Sequence, residues 1–186
     1  MPSSLPSRLT LEPRPQVIFL DAVGTLFGVR GSVGEVYGSI ARQFGVSTDA
    51  ALLNQAFFRS FKAAPRMAFP GASETEVYLK EYAWWEAIAY QTFSQVGAID
   101  QFENFQEFFS VLYDYFATAD PWFVYDDVQQ ALDYWKQEGI TLGVLSNFDS
   151  RLYPVLHALG LEGYFASVTI STEVGAAKPE TAVFQA

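Results

Sequence analysis

A short apolar run, QVIFL at residues 16–20, stops abruptly at the polar segment DAVGT. Its β-branched and aromatic side chains, preceded by Pro13 and Pro15, predict a buried strand. The pattern then changes period. From residue 33 to about 118, the stretches GEVYGSIARQF, ALLNQAFFRSF, SETEVYLKEYAWWEAIAYQTFSQV and FENFQEFFSVLYDYF repeat apolar residues at spacings of three and four. That spacing predicts four successive helices and therefore a helical subdomain.

Strand signals return after ADPWF. DDVQQALDYWKQEG reads as a helix, with Asp126 or Asp127 at its N-cap and Gly139 just past its end. ITLGVLSN follows as a strand, RLYPVLHALG as a helix with Pro154 in its first turn, and YFASVTI as a third strand. A further helix is expected to begin near Glu180. Strands alternating with helices point to an α/β fold with a doubly wound parallel sheet. The expected core is residues 15–30 and 119–186, split by an all-helical insertion at 31–118 and preceded by a flexible Pro/Ser-containing leader at 1–14.

Composition narrows the function classes. The 186 residues are half hydrophobic and 17% charged, enough for one sizeable core with a small appendage. Eleven basic against twenty-one acidic residues give a formal charge of -10, which repels nucleic-acid backbones and anionic lipid unless a basic cluster overrides it. No such cluster stands in the sequence, so neither nucleic acid nor membrane is expected as a partner. The lack of cysteine removes disulfides, thiolate zinc sites and cysteine nucleophiles, and leaves oxygen ligands for any metal. No apolar run reaches the roughly 18 residues that cross a bilayer, and the opening MPSSLPSRLTLEPRP has no apolar signal region. A cytoplasmic location is expected.

In parallel α/β sheets, ligands sit beyond the carboxyl ends of the strands. Asp21 stands directly after the first strand and is followed by Gly24 and Thr25, where a tight loop can offer backbone amides to an anion. Its carboxylate could attack phosphorus or carbon, although Asp after a strand also caps turns. Ser146 follows the second strand and can donate a hydroxyl, although Ser-Asn is also a common turn pair. Lys178 precedes Pro179, which favours an extended, projecting backbone, and a cation there could oppose phosphoryl charge or lie in solvent. His157, the sole histidine, falls on a helix and reads as structural; Asp149 reads as a polar neighbour of Ser146 or a turn residue.

The segments FLDAVGTLF, VLSNFDSRL and EVGAAKPE, in that order and with helices inserted after the first, resemble three motifs of the haloacid dehalogenase superfamily. GEVY, Trp84-Trp85, PWFVYDDV and NFDSRL are similar to the branch of rhythmically expressed proteins and haloacid dehalogenase-like hydrolase domain-containing proteins. The resemblance implies a flavodoxin-like core with a helical cap and phosphoester hydrolysis of a small metabolite through an aspartyl-phosphate on Asp21. It further implies Ser146 and Lys178 as phosphoryl partners, Thr25 and Asn147 as substrate-binding residues, and Mg²⁺ held by Asp21 and the backbone carbonyl of Val23.

Two departures from the family pattern shape the expectation. Val23 stands where family phosphatases carry a second Asp, and general acid–base help of that kind is worth about 10² to 10⁴ in rate. The acidic fourth motif of the family falls beyond the eight residues that follow Lys178, so the expectation is of a core lacking its last part, weak Mg²⁺ binding, weak or absent turnover, and a homodimer covering an open sheet edge. A 2-haloacid dehalogenase needs no acid at position 23, because halide leaves without a proton; Arg59 is then the candidate halide partner, although its stem could equally lie along apolar neighbours with the charge in solvent. A third reading is a non-catalytic binding or scaffold module whose aromatic residues form an interface.

Overall fold

The computed structural model describes residues 14–186, so the expected leader lies outside them apart from Arg14. Strand β1 (Val17–Leu20) and a short strand β2 (Phe27–Val29) precede helices α1 (Val33–Gln43), α2 (Ala50–Ala63), α3 (Glu74–Gln95) and α4 (Phe105–Tyr115). The chain returns through β3 (Trp122–Val124), α5 (Val128–Gln137), β4 (Thr141–Ser146), α6 (Leu152–Ala158), β5 (Ser167–Ile170) and α7 (Ser171–Val174).

Local chemistry fixes the helix starts. Ser32 and Glu35 form a reciprocal capping box at α1, and Ser73 and Glu76 do the same at α3. The carboxylate of Asp49 accepts from the Leu52 N–H at 2.9 Å, and the Asn104 side chain accepts from the Glu107 N–H at 3.1 Å. That last cap explains why α4 begins three residues later than the apolar spacing predicts: Ile99–Gln101 forms a separate 3₁₀ turn, and Asn104 restarts the helix. The helix predicted near Glu180 is instead a 3₁₀ turn at Thr181–Phe184. There the Glu180 N–H is already held by the Ala177 carbonyl, and Val183 N–H reaches back only three residues to the Glu180 carbonyl.

β1, β4 and β5 form a parallel sheet in the order β1-β4-β5, with Leu20 beside Val144 and Ser146 beside Ile170. The parallel α/β class predicted from the sequence is therefore the observed one. Leu142, Val144 and Ile170 project from one face into a core shared with Leu132 of α5 and Val155 and Leu156 of α6. On the other face of β1, Val17 and Phe19 are 47% and 57% exposed. Among the described residues both covering helices lie on the same side of the sheet.

A two-stranded antiparallel ribbon, β2 with β3, was not foreseen. Three-residue strands give no period to read, yet this ribbon joins the two chain passages that enter and leave the four helices. Phe27 and Trp122 pack edge to face across it with ring centroids 5.2 Å apart. The helices α1 to α4 bury a core of their own around Leu53, Phe57, Phe93, Phe108 and Phe109. Close approach of α1 to α2 depends on Gly34, where a Cβ would lie 2.0 Å from the Ala50 carbonyl oxygen. No helix among the described residues is long and apolar enough to cross a membrane.

Candidate active site

Parallel pairing of β1 with β4 brings their carboxyl ends side by side, and the side chains that follow them meet. The Ser146 hydroxyl donates to Asp21 Oδ1 at 2.7 Å, and Lys178 Nζ lies 3.0 Å from the same oxygen. Lys178 Nζ also donates to the Leu145 carbonyl at 2.8 Å. Asn147 holds the lysine backbone from both ends: its Nδ2 donates to the Lys178 carbonyl at 3.1 Å and its Oδ1 accepts from the Lys178 N–H at 2.7 Å. A residue 31 positions away is thus clamped as if by a strand partner. Gly175 makes the approach possible, because its φ of 71° ends α7 and a Cβ there would sit 2.9 Å from Pro70 Cα.

The turn after β1 is closed by the Ala22 carbonyl, which accepts from the Thr25 and Leu26 N–H groups at 3.2 and 2.8 Å. Gly24, at φ 86°, supplies the left-handed step. The Ala22 N–H donates to Asp21 Oδ1 at 2.9 Å. Oδ1 therefore has three donors, and Oδ2 has no partner among the described residues. Val23 lines the cavity in front of Asp21, whereas Thr25 is exposed and lies outside that lining. Asn147 does line the cavity, with its amide oxygen and nitrogen committed to Lys178.

That cavity, of roughly 580 Å³, lies between the four helices and the ends of the strands, with Asp21, Ser146 and Lys178 in its wall. Part of its wall is a lock centred on the buried Asp149, which sequence reading largely missed. Arg151 Nε and Nη2 donate to the two oxygens of Asp149 at 2.8 and 2.7 Å, and Trp85 Nε1 of α3 donates to Asp149 Oδ2 at 2.6 Å. The guanidinium also lies over the Tyr113 ring of α4, 3.9 Å from its centroid. Burial alone would push Arg151 down, but the charge and hydrogen bonds of Asp149 hold it above its ordinary value. Burial pushes the phenols of Tyr37 and Tyr113 up, an effect that Arg151 opposes. The signal available in the sequence was NFDSRL itself, whose Asp reads as a turn residue and whose Arg reads as a helix start until Trp85 and Tyr113 are placed against them.

Glu81, one turn before Trp85 on α3, is fully buried and accepts from the Ser150 N–H at 3.0 Å and the Ser150 hydroxyl at 2.5 Å. Burial raises its carboxyl above the ordinary value of 4.5, while the bonds from Ser150 pull the other way. A raised folded-state value means that the native state binds this proton more tightly than the unfolded chain. The stability so gained is complete below about pH 4.5 and is lost as pH rises through the folded-state value. Wild-type stability, measured against Glu81→Gln across that range, is expected to fall toward neutral pH; two parallel profiles would show that Glu81 is not titrating in the fold.

The residues present do not make a complete Mg²⁺ site. Asp21 and the Val23 carbonyl are two oxygens, and Asp149, the nearby acid, has both of its oxygens bound by Arg151 and Trp85. Among the described residues no group of three or more His, Cys, Asp or Glu side chains is placed to hold a metal, whereas Mg²⁺ takes near-octahedral oxygen coordination. Arg59 does not face the cavity: it is exposed and its Nε donates to Gln95 at 2.8 Å. The arginine that lines the cavity is Arg151. His157 is exposed beside Glu162, and Asp127 precedes α5 without a side-chain cap bond.

The haloacid dehalogenase-like hydrolase family matches residues 15–186. The Bos taurus haloacid dehalogenase-like hydrolase domain-containing protein 3 is 32% identical over 164 residues, which cover 88% of this chain and 64% of that protein. The Drosophila melanogaster rhythmically expressed gene 2 protein is 29% identical over 180 residues, covering 92% of this chain and 68% of that protein. The chain thus spans about two thirds of the length of these relatives. Among solved structures, the L-2-haloacid dehalogenase from Xanthobacter autotrophicus is similar with a TM-score of 0.63 at 18% identity, over 92% of this chain and 63% of that one. A predicted phosphoglycolate phosphatase from Haemophilus somnus has a TM-score of 0.59 at 19% identity, over 92% of this chain and 69% of that one. At these identities the likeness is one of fold, and the fold is shared by proteins named for different chemistry. With the family matched from residue 15 to residue 186, this chain belongs to the haloacid dehalogenase-like hydrolases.

Proposed function

We propose that this chain hydrolyses small phosphoesters by covalent catalysis through Asp21. The observation that carries the reading is the placement of Ser146 and Lys178 on one oxygen of Asp21, which leaves the other oxygen to meet a substrate in the cavity. Asp21 Oδ2 attacks phosphorus, the bond from phosphorus to the leaving oxygen breaks, and that oxygen departs with the electron pair. Lys178 opposes the charge on the transferred phosphoryl group, and the Ser146 hydroxyl donates to it. Water then attacks phosphorus; its proton leaves with the phosphate, and the Asp21 carboxylate is restored.

Val23 offers no proton to the leaving group, so substrates whose leaving oxygen is stable as an anion, such as aryl or acyl phosphates, are the ones this site favours. Hydrolysis of an aryl phosphate by this chain, with and without Mg²⁺, tests the reading against Asp21→Asn. The apolar side chain of Val23 in the cavity wall also favours a second reading, displacement of halide from a 2-haloacid, since halide needs no proton. Chloride release from a 2-chloro acid with no aryl phosphate turnover would select that second reading. Failure of both substrates to exceed the Asp21→Asn background would leave a binding module.

A further inference from the structure

The cavity in front of Asp21 is much larger than its reacting end requires. At one end stand Asp21, Ser146 and Lys178; the remainder is walled chiefly by aromatic and aliphatic side chains. Phe58 and Phe61 of α2 line it while remaining 56% and 44% exposed. They are backed by Phe57, whose ring centroid lies 5.4 Å from Phe58 and 5.7 Å from Phe61, and Phe61 in turn lies 5.9 Å from Trp85. Large apolar side chains left partly exposed along a concave surface are the signature of a ligand-facing wall.

The charged groups of the cavity are already engaged with one another or with their neighbours. Its charged lining residues are Asp21, Lys178 and Arg151; the first two pair with each other, and Arg151 is bound to Asp149 and to the Tyr113 carbonyl. Asn54 is partly committed to the Gly34 N–H. The Tyr113 hydroxyl, buried without a hydrogen-bond partner among the described residues, is left for a single polar substituent on the substrate. Edge-to-face or stacked contact with Phe58, Phe61 and Trp85 stabilises a flat ring system beyond its area alone.

From this wall, and resting on the proposal that Asp21 meets the reacting anion, we infer that the substrate carries its anionic group on a flat, apolar, aromatic-sized body that lies against Phe57, Phe58, Phe61 and Trp85. The α2 aromatic wall is the specificity element, and through contact with its rings it favours an aromatic phosphoester over a sugar phosphate of equal charge.

Quenching of intrinsic tryptophan fluorescence reads the inference directly, because Trp85 and Trp122 line the cavity. The probes are methylphosphonate, 1-naphthylmethylphosphonate, glucose 6-phosphate and the neutral 1-naphthylmethanol. The naphthyl phosphonate is expected to bind at least about tenfold more tightly than methylphosphonate, equivalent to about 1.4 kcal/mol, and more tightly than the sugar phosphate. Phe58→Ala, at a position 56% exposed, is expected to reduce that ratio by roughly threefold or more, the scale of a lost aromatic contact. Equal binding of methyl and naphthyl phosphonates, or tightest binding by glucose 6-phosphate, overturns the aromatic wall while leaving the anion site at Asp21 standing. Binding of 1-naphthylmethanol, weakened by Phe58→Ala, with no binding of any phosphonate supports the wall and removes the anion site instead. Binding of none of the four overturns both.

Discussion

Replacing Asp149 with Asn is expected to cost about 3–5 kcal/mol of folding stability, the range for breaking one partner of a buried ion pair. Asp149 is fully buried and receives Nε and Nη2 of Arg151 as well as the Trp85 indole N–H. An Asn keeps the shape but loses the charge, and it turns an amide donor toward Trp85 or Arg151, which are themselves donors. The guanidinium is then left charged in a buried site without its counterion. In thermal unfolding this is expected to lower Tm by roughly 10 °C or more. The double variant Asp149→Asn, Arg151→Met is expected to recover part of the loss, because the stranded charge is gone. A single variant within about 1 kcal/mol of wild type would show that the lock contributes little.

The second large effect uses the same chemical change at a different place. Asp21→Asn is expected to reduce turnover of an aryl phosphate by at least about 10³-fold, as loss of a covalent nucleophile does. Its effect on stability is expected to be about 1 kcal/mol or less, because the Asp21 side chain is 45% exposed and its pairing with Lys178 is screened by solvent. Steady-state kinetics and thermal unfolding on the same preparations therefore separate the two aspartates. Asp149→Asn moves mainly the unfolding curve, and Asp21→Asn moves mainly the rate. Retained turnover in Asp21→Asn would remove the nucleophile from the mechanism.

The two aspartates also mark what could be read from the sequence. Asp21 and Ser146 were legible because each stands directly after a strand whose apolar run announces it, and the topology of a parallel sheet sends such residues to one edge. Lys178 was legible through its place beside Pro179 and its resemblance to a family motif, but the device that aims it was not. Asn147 grips the Lys178 backbone across 31 residues, and no local pattern encodes a contact of that span. The lock around Asp149 was hidden for the same reason, since Trp85 lies 64 residues away on a helix whose apolar face explains it equally well. Arg59 stands among Phe57, Phe58 and Phe61 in sequence, and that neighbourhood alone does not say whether it meets the cavity or solvent. On the helix Phe57 turns inward, while Arg59 bonds Gln95 on the outside. The β2–β3 ribbon escaped notice because three residues on each side form a partnership only in three dimensions.

Trapping the intermediate tests the proposed covalent role of Asp21 most directly. Acid quenching of the chain during aryl phosphate turnover, followed by peptide mass spectrometry, is predicted to find a phosphoryl adduct on the peptide that carries Asp21 and none in Asp21→Asn. Sustained turnover with no adduct on that peptide, or an adduct that maps elsewhere, would contradict it.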